Sequence, residues 1–367
     1  MKDIIDAIIG ETYTPPRDTG FVVGVTEGGR SSVFGYGNKQ GAMSGPPEGD
    51  TLFEIGSVTK VFTTSVFSLL VSQGKLNLED PVQDVYSDVP GMPQEITLLR
   101  LATHTSGLPK MPPDAIGGAL KKRSNPYLDY TTVKLLTYLK QYRKKPRPDE
   151  EINYSNMGMA LLGLILAETA GGTFEEAVVD VICDPLALLD SRITLSPEQE
   201  ERLATPHTGN GKPSNRWNLP AFPGAGALHS TAEDILRFLE AHMGRPASSF
   251  TEALSLSHER QSGEFPKPGK LTKLIPGASK KIRLGSPFTR NIGLGWVIGN
   301  AGTDGPETHW HHGATGGYVA FAGFVKEADV GTVVLMNRGP LFPEMASGVS
   351  SADEIGFRVL LSLCSSD

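Results

Sequence analysis

Cysteine is scarce in this chain of 367 residues, which contains only Cys183 and Cys364. Two cysteines do not make the disulfide framework that stabilises small secreted domains, so we expect the fold to depend on a hydrophobic core. Hydrophobic residues make up 39% of the chain and charged residues 20%, as in ordinary globular proteins. Because a single core usually stops growing at about 250–300 residues, we expect two subdomains.

An excess of positive charge is also lacking, since 34 Lys and Arg against 41 Asp and Glu give a net charge of −7. That balance argues against a nucleic acid or an anionic membrane as a partner. The longest apolar run, 157–167, is too short to cross a bilayer. Acidic residues interrupt the apolar residues of 1–11, which therefore lacks the hydrophobic region of a signal peptide. We predict a cytoplasmic protein with a small-molecule partner, and the sequence does not indicate its oligomeric state.

The chain lacks the Gly-x-Ser-x-Gly motif that marks one large class of serine hydrolases. A different arrangement opens a long apolar run, where Gly56 precedes Ser57 and Lys60 follows three positions later. If the run is a helix, Ser57 lies in its first turn and Lys60 lies one turn further on the same face. Ser is a common helix N-cap, but a hydroxyl at a helix N-terminus beside an amine is also a candidate activated nucleophile.

Hydrophobic periodicity predicts strands near both ends of the chain and helices between them. Two apolar runs separated by Gly28 and Gly29 predict a β-hairpin, and strand patterns return after residue 293. The predicted helices are 1–11, 57–74, 130–142, 156–170, 173–183, 231–239 and 352–363. This order predicts an α/β fold of the α+β type, in which an antiparallel sheet built from both termini is flanked by helices and carries an inserted all-helical domain.

The same order predicts two domains. Residues 1–80 and 290–367 are expected to form the sheet domain, and residues 81–289 the helical domain. Within the helical domain, 257–290 is rich in Pro, Gly and Lys and has no clear period. Two interpretations of that segment stay open: a solvated loop, or a positively charged lip over a site.

Two further polar stretches lie next to apolar segments. The first, 153–156, comes directly before a strongly apolar helix, where a helix cap is the simplest interpretation. The second, 310–317, lies between strand patterns and is by itself typical of a glycine turn. His309 and His311 share one face of the predicted strand, but no Cys or carboxylate with ligand spacing accompanies them, so we predict no metal site.

Together the three stretches resemble the signature set of the serine β-lactamase and penicillin-binding-protein superfamily. Its parts are Ser-x-x-Lys at 57–60, Tyr-x-Asn at 154–156 and a Lys/His-x-Gly strand at 311–313. The Tyr-x-Asn form is similar to that of class C β-lactamases and family VIII carboxylesterases. Further segments that are similar to segments of the family are 96–109, 154–163, 228–234, 293–296 and 313–318. The resemblance implies the β-lactamase/transpeptidase-like fold and a reaction without cofactor.

The resemblance also implies roles for individual residues. Ser57 is the nucleophile that forms an acyl-enzyme, with Lys60 and Tyr154 as the acid–base groups. The backbone N–H groups of Ser57 and Ala314 form the oxyanion hole. The substrate-binding residues are Asn156, His311, His312 and Gly313. An ionised Tyr154 at pH 7 costs about 4 kcal/mol unless cations stabilise it, so the resting base is either this phenolate or a neutral Lys60 amine.

The third stretch departs from the class C pattern, in which Lys-Thr-Gly holds the substrate carboxylate. His311 and His312 stand at the Lys and Thr positions, and an unperturbed His, with a pKa of about 6.5, is mostly neutral at pH 7. If His311 anchors an anion, substrates with a carboxylate are favoured below that pKa. Asn337 and Arg338 are a second possible source of charge, although a solvated strand end is the simpler interpretation of Arg338.

The weaker anion anchor sets the order of functions that we expect. A carboxylesterase or acyltransferase acting on small esters comes first. A D-stereospecific peptidase or amidase, or a DD-carboxypeptidase, comes second, and a class C-type β-lactamase third. A non-catalytic penicillin-binding sensor is the alternative outside enzymology.

Overall fold

A computed structural model describes residues 1–113, 125–146, 152–261, 291–300, 305–341, 344 and 350–364. The strands in these ranges are β1 (Gly20–Glu27), β2 (Arg30–Gly37), β3 (Phe53–Glu54), β4 (His229–Ser230), β5 (Asn291–Ile292), β6 (Val297–Asn300), β7 (Glu307–Ala314), β8 (Val319–Val325) and β9 (Val330–Met336). All but β3 and β4 form one sheet in the order β2-β1-β9-β8-β7-β6-β5, with antiparallel neighbours throughout. The predicted antiparallel sheet built from both termini is confirmed.

The helices come mainly from the middle of the chain. They are α1 (Lys2–Thr12), α2 (Thr59–Ser72), α3 (Val82–Val85), α4 (Leu98–Ala102), α5 (Thr132–Lys140), α6 (Asn156–Ala170), α7 (Phe174–Val178), α8 (Asp184–Leu186), α9 (Pro197–Arg202), α10 (Pro223–Gly226), α11 (Ala232–His242), α12 (Ser249–Leu254) and α13 (Ser351–Cys364). The mixed α and β class is therefore also confirmed. The division into two domains stays a prediction, and most of the segment 257–290 lies outside the described residues.

Helix α6 shows how local sequence sets an element. Ser155 caps its N-terminus by accepting a hydrogen bond from the Gly158 N–H at 2.9 Å, and Gly171 ends it in the left-handed conformation. The single helix predicted over 173–183 is wrong in detail, because α7 ends at Val178 and a wider π-helical turn follows. Pro185, which has no N–H to donate, lies two residues after the end of that turn at Cys183.

The sheet separates two hydrophobic cores. Alternate residues of β1 illustrate this, since Phe21 packs with the core under α1 and α13 whereas Val22 packs with the core that contains α2 and α6. Every residue of α2 from Thr59 to Leu70 is buried. The N-terminus of this central helix is therefore held rigidly between the sheet and the helical layer.

Both cysteines are free thiols, and Cys183 is buried. Among the described residues no single helix has the length and apolar composition to cross a membrane. The stretches Asn156–Ala170 and Phe174–Leu186 meet that test only as a pair, with a bend of 77° between them.

Candidate active site

Ser57 lies in a tight 3₁₀ turn, Gly56–Val58, that leads into α2. Gly56 has a φ of +49°, a conformation that a residue without a Cβ adopts with little strain. The α-helix consequently begins two residues later than predicted, at Thr59. The Ser57 side chain is only partly buried, so the turn presents its hydroxyl to a cavity.

Lys60 is fully buried one turn after Ser57. Its Nζ lies 2.9 Å from Ser57 Oγ and donates to the Ala225 carbonyl oxygen at 2.5 Å. Burial lowers the pKa of Lys60 well below its usual value, and repulsion from Lys110 adds to the effect. The surroundings therefore favour the neutral amine.

Tyr154 comes directly before the Ser155 cap of α6, so the start of that helix positions the phenol. The Lys60 Nζ lies 4.8 Å from the centroid of the Tyr154 ring. Burial raises the pKa of Tyr154 above its usual value, and a hydrogen bond with Ser57 opposes this rise only in part. The structure thus brings Ser57, Lys60 and Tyr154 together from two remote stretches of the chain.

His104 is a neighbour of this cluster that the sequence did not single out, although it lies within the family-like segment 96–109. Its ring packs on the Tyr154 ring at 4.5 Å between centroids. Its Nδ1 accepts a hydrogen bond from the Ser155 N–H at 3.3 Å, and burial lowers the pKa of His104 to about 3. His104 is therefore a neutral support for the position of Tyr154.

The backbone around Ser57 touches β7 closely. A Cβ on Gly313 would lie 1.9 Å from the Ile55 carbonyl oxygen and 3.0 Å from the Ser57 nitrogen, and a Cβ on Gly56 would lie 2.7 Å from the Ala314 nitrogen. Only glycines fit at these two positions. The contact holds the Ser57 turn against the Gly313–Ala314 backbone, so the two nitrogens predicted as oxyanion donors belong to neighbouring segments.

Asn156 opens α6 and lines the same cavity. Its Nδ2 donates to the Tyr127 Oη at 2.9 Å, whereas its Oδ1 is buried without a hydrogen-bond partner in the described structure. Such an oxygen is available to accept an N–H from a bound molecule. Tyr127, which fixes the amide, carried no recognisable signal in the sequence.

His311 is not the cation that the sequence allowed for. It is 3% exposed, and its Nδ1 lies 2.6 Å from the His312 carbonyl oxygen. A carbonyl can only accept, so Nδ1 carries the hydrogen and Nε2 of the neutral ring is an acceptor. Burial lowers the pKa of His311 well below 6.5, and the value expected for an unperturbed ring is corrected accordingly.

A pH experiment tests this reassignment. Because the folded pKa of His311 lies well below 6.5, its ring stays neutral from about pH 5.5 to 7.5. We expect the ratio of kcat/KM for an ester with a carboxylate to that for its uncharged analogue to stay constant over this range in the wild type, as in His311→Gln. A ratio that rises as the pH falls, and that becomes flat in His311→Gln, would contradict the neutral assignment.

His312 lines the cavity, whereas Arg338 differs from expectation. The His312 side chain is 48% exposed, and its Nδ1 lies 3.8 Å from Asp353 Oδ1 at the start of α13. Arg338 is 1% exposed and donates to both carboxylate oxygens of Glu344 at 2.9 and 3.0 Å. The Glu344 carboxylate therefore already neutralises the charge of Arg338, which cannot compensate for the missing Lys. Arg338 is also not a solvated strand end.

The Asn337 side chain is likewise used in hydrogen bonds with the backbone. Its Oδ1 accepts from the Gly20 N–H at 2.6 Å, and its Nδ2 donates to the backbone carbonyls of Asn38 and Lys39. It is completely buried. Neither residue after β9 thus replaces the missing Lys of the third stretch.

A cavity of about 670 Å³ connects these groups. Residues 307–310 of β7 pair with β6, whereas 311–314 have no strand on that side within the described ranges and border the cavity instead. The cavity reaches from Ser57 past this free edge to the start of α13. Among the described residues, no group of three or more metal-ligating side chains is present.

The fold and the Ser57–Lys60–Tyr154 cluster define a serine hydrolase of the β-lactamase and penicillin-binding-protein type. A model of the family described as Beta-lactamase matches residues 9–354, and the chain belongs to that family. The resemblance inferred from the three sequence stretches is confirmed.

Relatives and similar structures span nearly the whole chain. The D-alanyl-D-alanine-carboxypeptidase/endopeptidase AmpH of Escherichia coli strain K12 is 27% identical, covering 95% of this chain and 88% of that protein. A β-lactamase of Providencia stuartii is 26% identical, with 94% and 88% covered. Solved structures include a class C β-lactamase (TM-score 0.75, 22% identity, 96% and 95% covered) and a β-lactamase/D-alanine carboxypeptidase from Pseudomonas syringae (0.75, 19%, 96% and 98%).

Proposed function

We propose that this hydrolase is a carboxylesterase or acyltransferase that forms an acyl-enzyme on Ser57 from small esters. The observation that supports this choice is the missing positive charge on the third stretch. His311 is buried with a lowered pKa, and His312 lies beside the Asp353 carboxylate. A β-lactam or a C-terminal peptide carries a carboxylate that needs a cation, whereas a simple ester does not.

The acylation step begins at the contact between Ser57 and Lys60. The neutral amine takes the proton of Ser57 as Oγ bonds to the carbonyl carbon of the ester, and the carbonyl oxygen becomes an oxyanion. The backbone N–H groups of Ser57 and Ala314 donate to that oxygen. With both pKa shifts arising mainly from burial, we assign the resting state to a neutral Lys60 and a neutral Tyr154 rather than to a phenolate.

The leaving group departs on the Tyr154 side. As the C–O bond breaks, the phenol gives its proton to the departing oxygen, and the ammonium formed on Lys60 restores that proton. Water, or an alcohol in the transferase reaction, then attacks the acyl-enzyme by the same steps in reverse order. The centroids of the Tyr154 and His311 rings are 6.3 Å apart, and we infer that a leaving group protonated by Tyr154 extends along the cavity toward His311.

A D-stereospecific amidase or peptidase is the second candidate. The buried, unpartnered Oδ1 of Asn156 supports it, because an acceptor at this place suits an acyl group with an amide or amine N–H. The name of the Escherichia coli relative, a carboxypeptidase and endopeptidase, points in the same direction.

A substrate panel tests the proposal. We expect p-nitrophenyl butyrate to be hydrolysed with a higher kcat/KM than D-alanine p-nitroanilide and nitrocefin. Ser57→Ala should abolish the turnover, whereas Ser72→Ala, at the other end of α2, should leave it unchanged. Faster nitrocefin hydrolysis would favour the β-lactamase, and faster anilide hydrolysis the amidase. Stoichiometric labelling by a fluorescent penicillin without turnover of any substrate would favour the sensor.

A further inference from the structure

The far end of the cavity holds a carboxylate with one free oxygen. Asp353 lies in the first turn of α13, is 3% exposed and lines the cavity. Its Oδ2 accepts from the backbone N–H and the hydroxyl of Ser350 at 2.6 and 2.8 Å, so this oxygen caps the helix. Its Oδ1 is buried and has no hydrogen-bond partner in the described structure. Helix capping therefore accounts for the burial of Oδ2 but not for that of Oδ1.

Among the described residues, no cationic group lies within hydrogen-bond distance of the Asp353 carboxylate. His312 lies at 3.8 Å, too far for a hydrogen bond. Glu344, the other carboxylate on this part of the cavity wall, is already paired with Arg338 and repels Asp353. Burial raises the pKa of Asp353, which means that the carboxylate is under-stabilised where it lies. A cation that entered the cavity would remove this deficit.

Ser57 and Asp353 line the same cavity, and we assign its Asp353 end to the leaving group. The cavity passes from Ser57 and Tyr154 along the free edge of β7 to His312 and Asp353. The leaving group in the proposed reaction departs toward His311, whose ring centroid lies 5.8 Å from that of His312. Lys110 is the cationic side chain on the described part of the cavity wall. Its charge repels Lys60, which places it at the catalytic end of the cavity and not beside Asp353.

We propose that Asp353, together with His312, forms a subsite for a positively charged leaving group, so that the preferred substrates are esters or amides whose leaving group carries an ammonium. This inference rests on the proposed acyl transfer from Ser57. The unpaired Oδ1 carries negative charge that attracts the ammonium electrostatically, and the acid-lined wall disfavours a carboxylate at the same place. The charge preference is thus the reverse of the one that a Lys-Thr-Gly strand provides.

Three esters with one acyl group test the charge preference: butyrylcholine, its uncharged isostere 3,3-dimethylbutyl butyrate, and the butyrate ester of 4-hydroxybutanoate. At pH 8, where an imidazole is generally neutral, we expect kcat/KM for the cationic ester to exceed that for the isostere by about tenfold, and the anionic ester to be the poorest. Asp353→Asn keeps an oxygen for the helix cap. It should remove the preference for the cation, so that the ratio of kcat/KM for butyrylcholine to that for the isostere falls to about one.

Ser350→Ala is the matched control, because it weakens the cap but keeps the charge of Asp353. This variant should retain the cation preference. Equal kcat/KM values for the choline ester and its isostere in the wild type, or the same ratio in wild type and Asp353→Asn, would overturn the proposal. So would loss of the ratio in Ser350→Ala with Asp353 intact, since that result would assign the effect to the helix cap.

A binding measurement separates this subsite from the proposed reaction. Choline and 3,3-dimethylbutanol are titrated calorimetrically against wild type and Asp353→Asn. If the wild type binds choline more tightly than 3,3-dimethylbutanol and Asp353→Asn does not, the subsite is supported even if no ester is hydrolysed. Hydrolysis of the neutral ester that requires Ser57, with no choline binding and no charge preference, supports the reaction and rejects the subsite.

Discussion

Lys60→Met should lower kcat/KM for p-nitrophenyl butyrate by about 10³–10⁴-fold, which is the upper range for loss of a general base. The amine is 2.9 Å from Ser57 Oγ, and its burial favours the neutral form that can accept a proton. The remaining groups, Tyr154 and His104, are respectively a phenol with a raised pKa and a neutral ring that packs on it. Initial rates with the purified variant give the measurement.

Stability provides the control for this variant. Met keeps the volume of the Lys stem and removes an amine that is buried without a carboxylate, which is a gain of stability. The same change leaves the Ala225 carbonyl without its donor, at a cost of about 1–3 kcal/mol. Since these terms oppose each other, we expect the free energy of unfolding to change by less than about 2 kcal/mol. A folded variant with activity within tenfold of wild type would contradict a base role for Lys60.

Gly313→Ala should lower kcat by about 10²–10³-fold, the loss typical when one oxyanion donor is removed. The new methyl group would lie 1.9 Å from the Ile55 carbonyl oxygen, which is backbone and cannot rotate away. Strand β7 must therefore move from the Ser57 turn, and the nitrogens of Ser57 and Ala314 separate. The KM should change less than kcat, because the oxyanion forms only during the reaction.

Gly10→Ala is the matched control for this substitution. Gly10 lies within α1, and a Cβ at this position would meet no atom within 4 Å. The control should keep full activity and gain up to about 1 kcal/mol of stability, because Ala favours a helix over Gly. Circular dichroism and thermal unfolding of both variants establish whether they fold. Wild-type kcat in folded Gly313→Ala would reject the oxyanion arrangement.

Local features of the fold were predictable because short-range interactions set them. The hairpin of β1 and β2 follows from two apolar runs around a glycine pair, and α6 follows from the Ser155 cap and an apolar run that ends at Gly171. The π-helical turn after α7 was not predictable in the same way, since the apolar pattern of 173–183 fits an α-helix equally well.

For the candidate site residues too, contacts within one helix were predictable and contacts between remote parts of the chain were not. The spacing of Ser57 and Lys60 places them one helical turn apart in any helix, so their contact needs no other part of the chain. Their approach to Tyr154 was inferred only through the family resemblance, because nothing local joins residue 60 to residue 154. His104, Tyr127 and Asp353 were missed for that reason. Each acts through a contact with a residue that is distant in the chain.

By itself, the sequence determined the identity and order of the chemical groups: a hydroxyl and an amine on one helix, a phenol before another, and two imidazoles where a cation is usual. Only the tertiary structure decided their charge and availability. Burial of Lys60 and His311 favours the neutral forms, Glu344 consumes the charge of Arg338, and α13 brings Asp353 to the cavity. The physical reason is that backbone hydrogen bonds act over a few residues, whereas desolvation and Coulomb forces depend on every atom that the fold brings near.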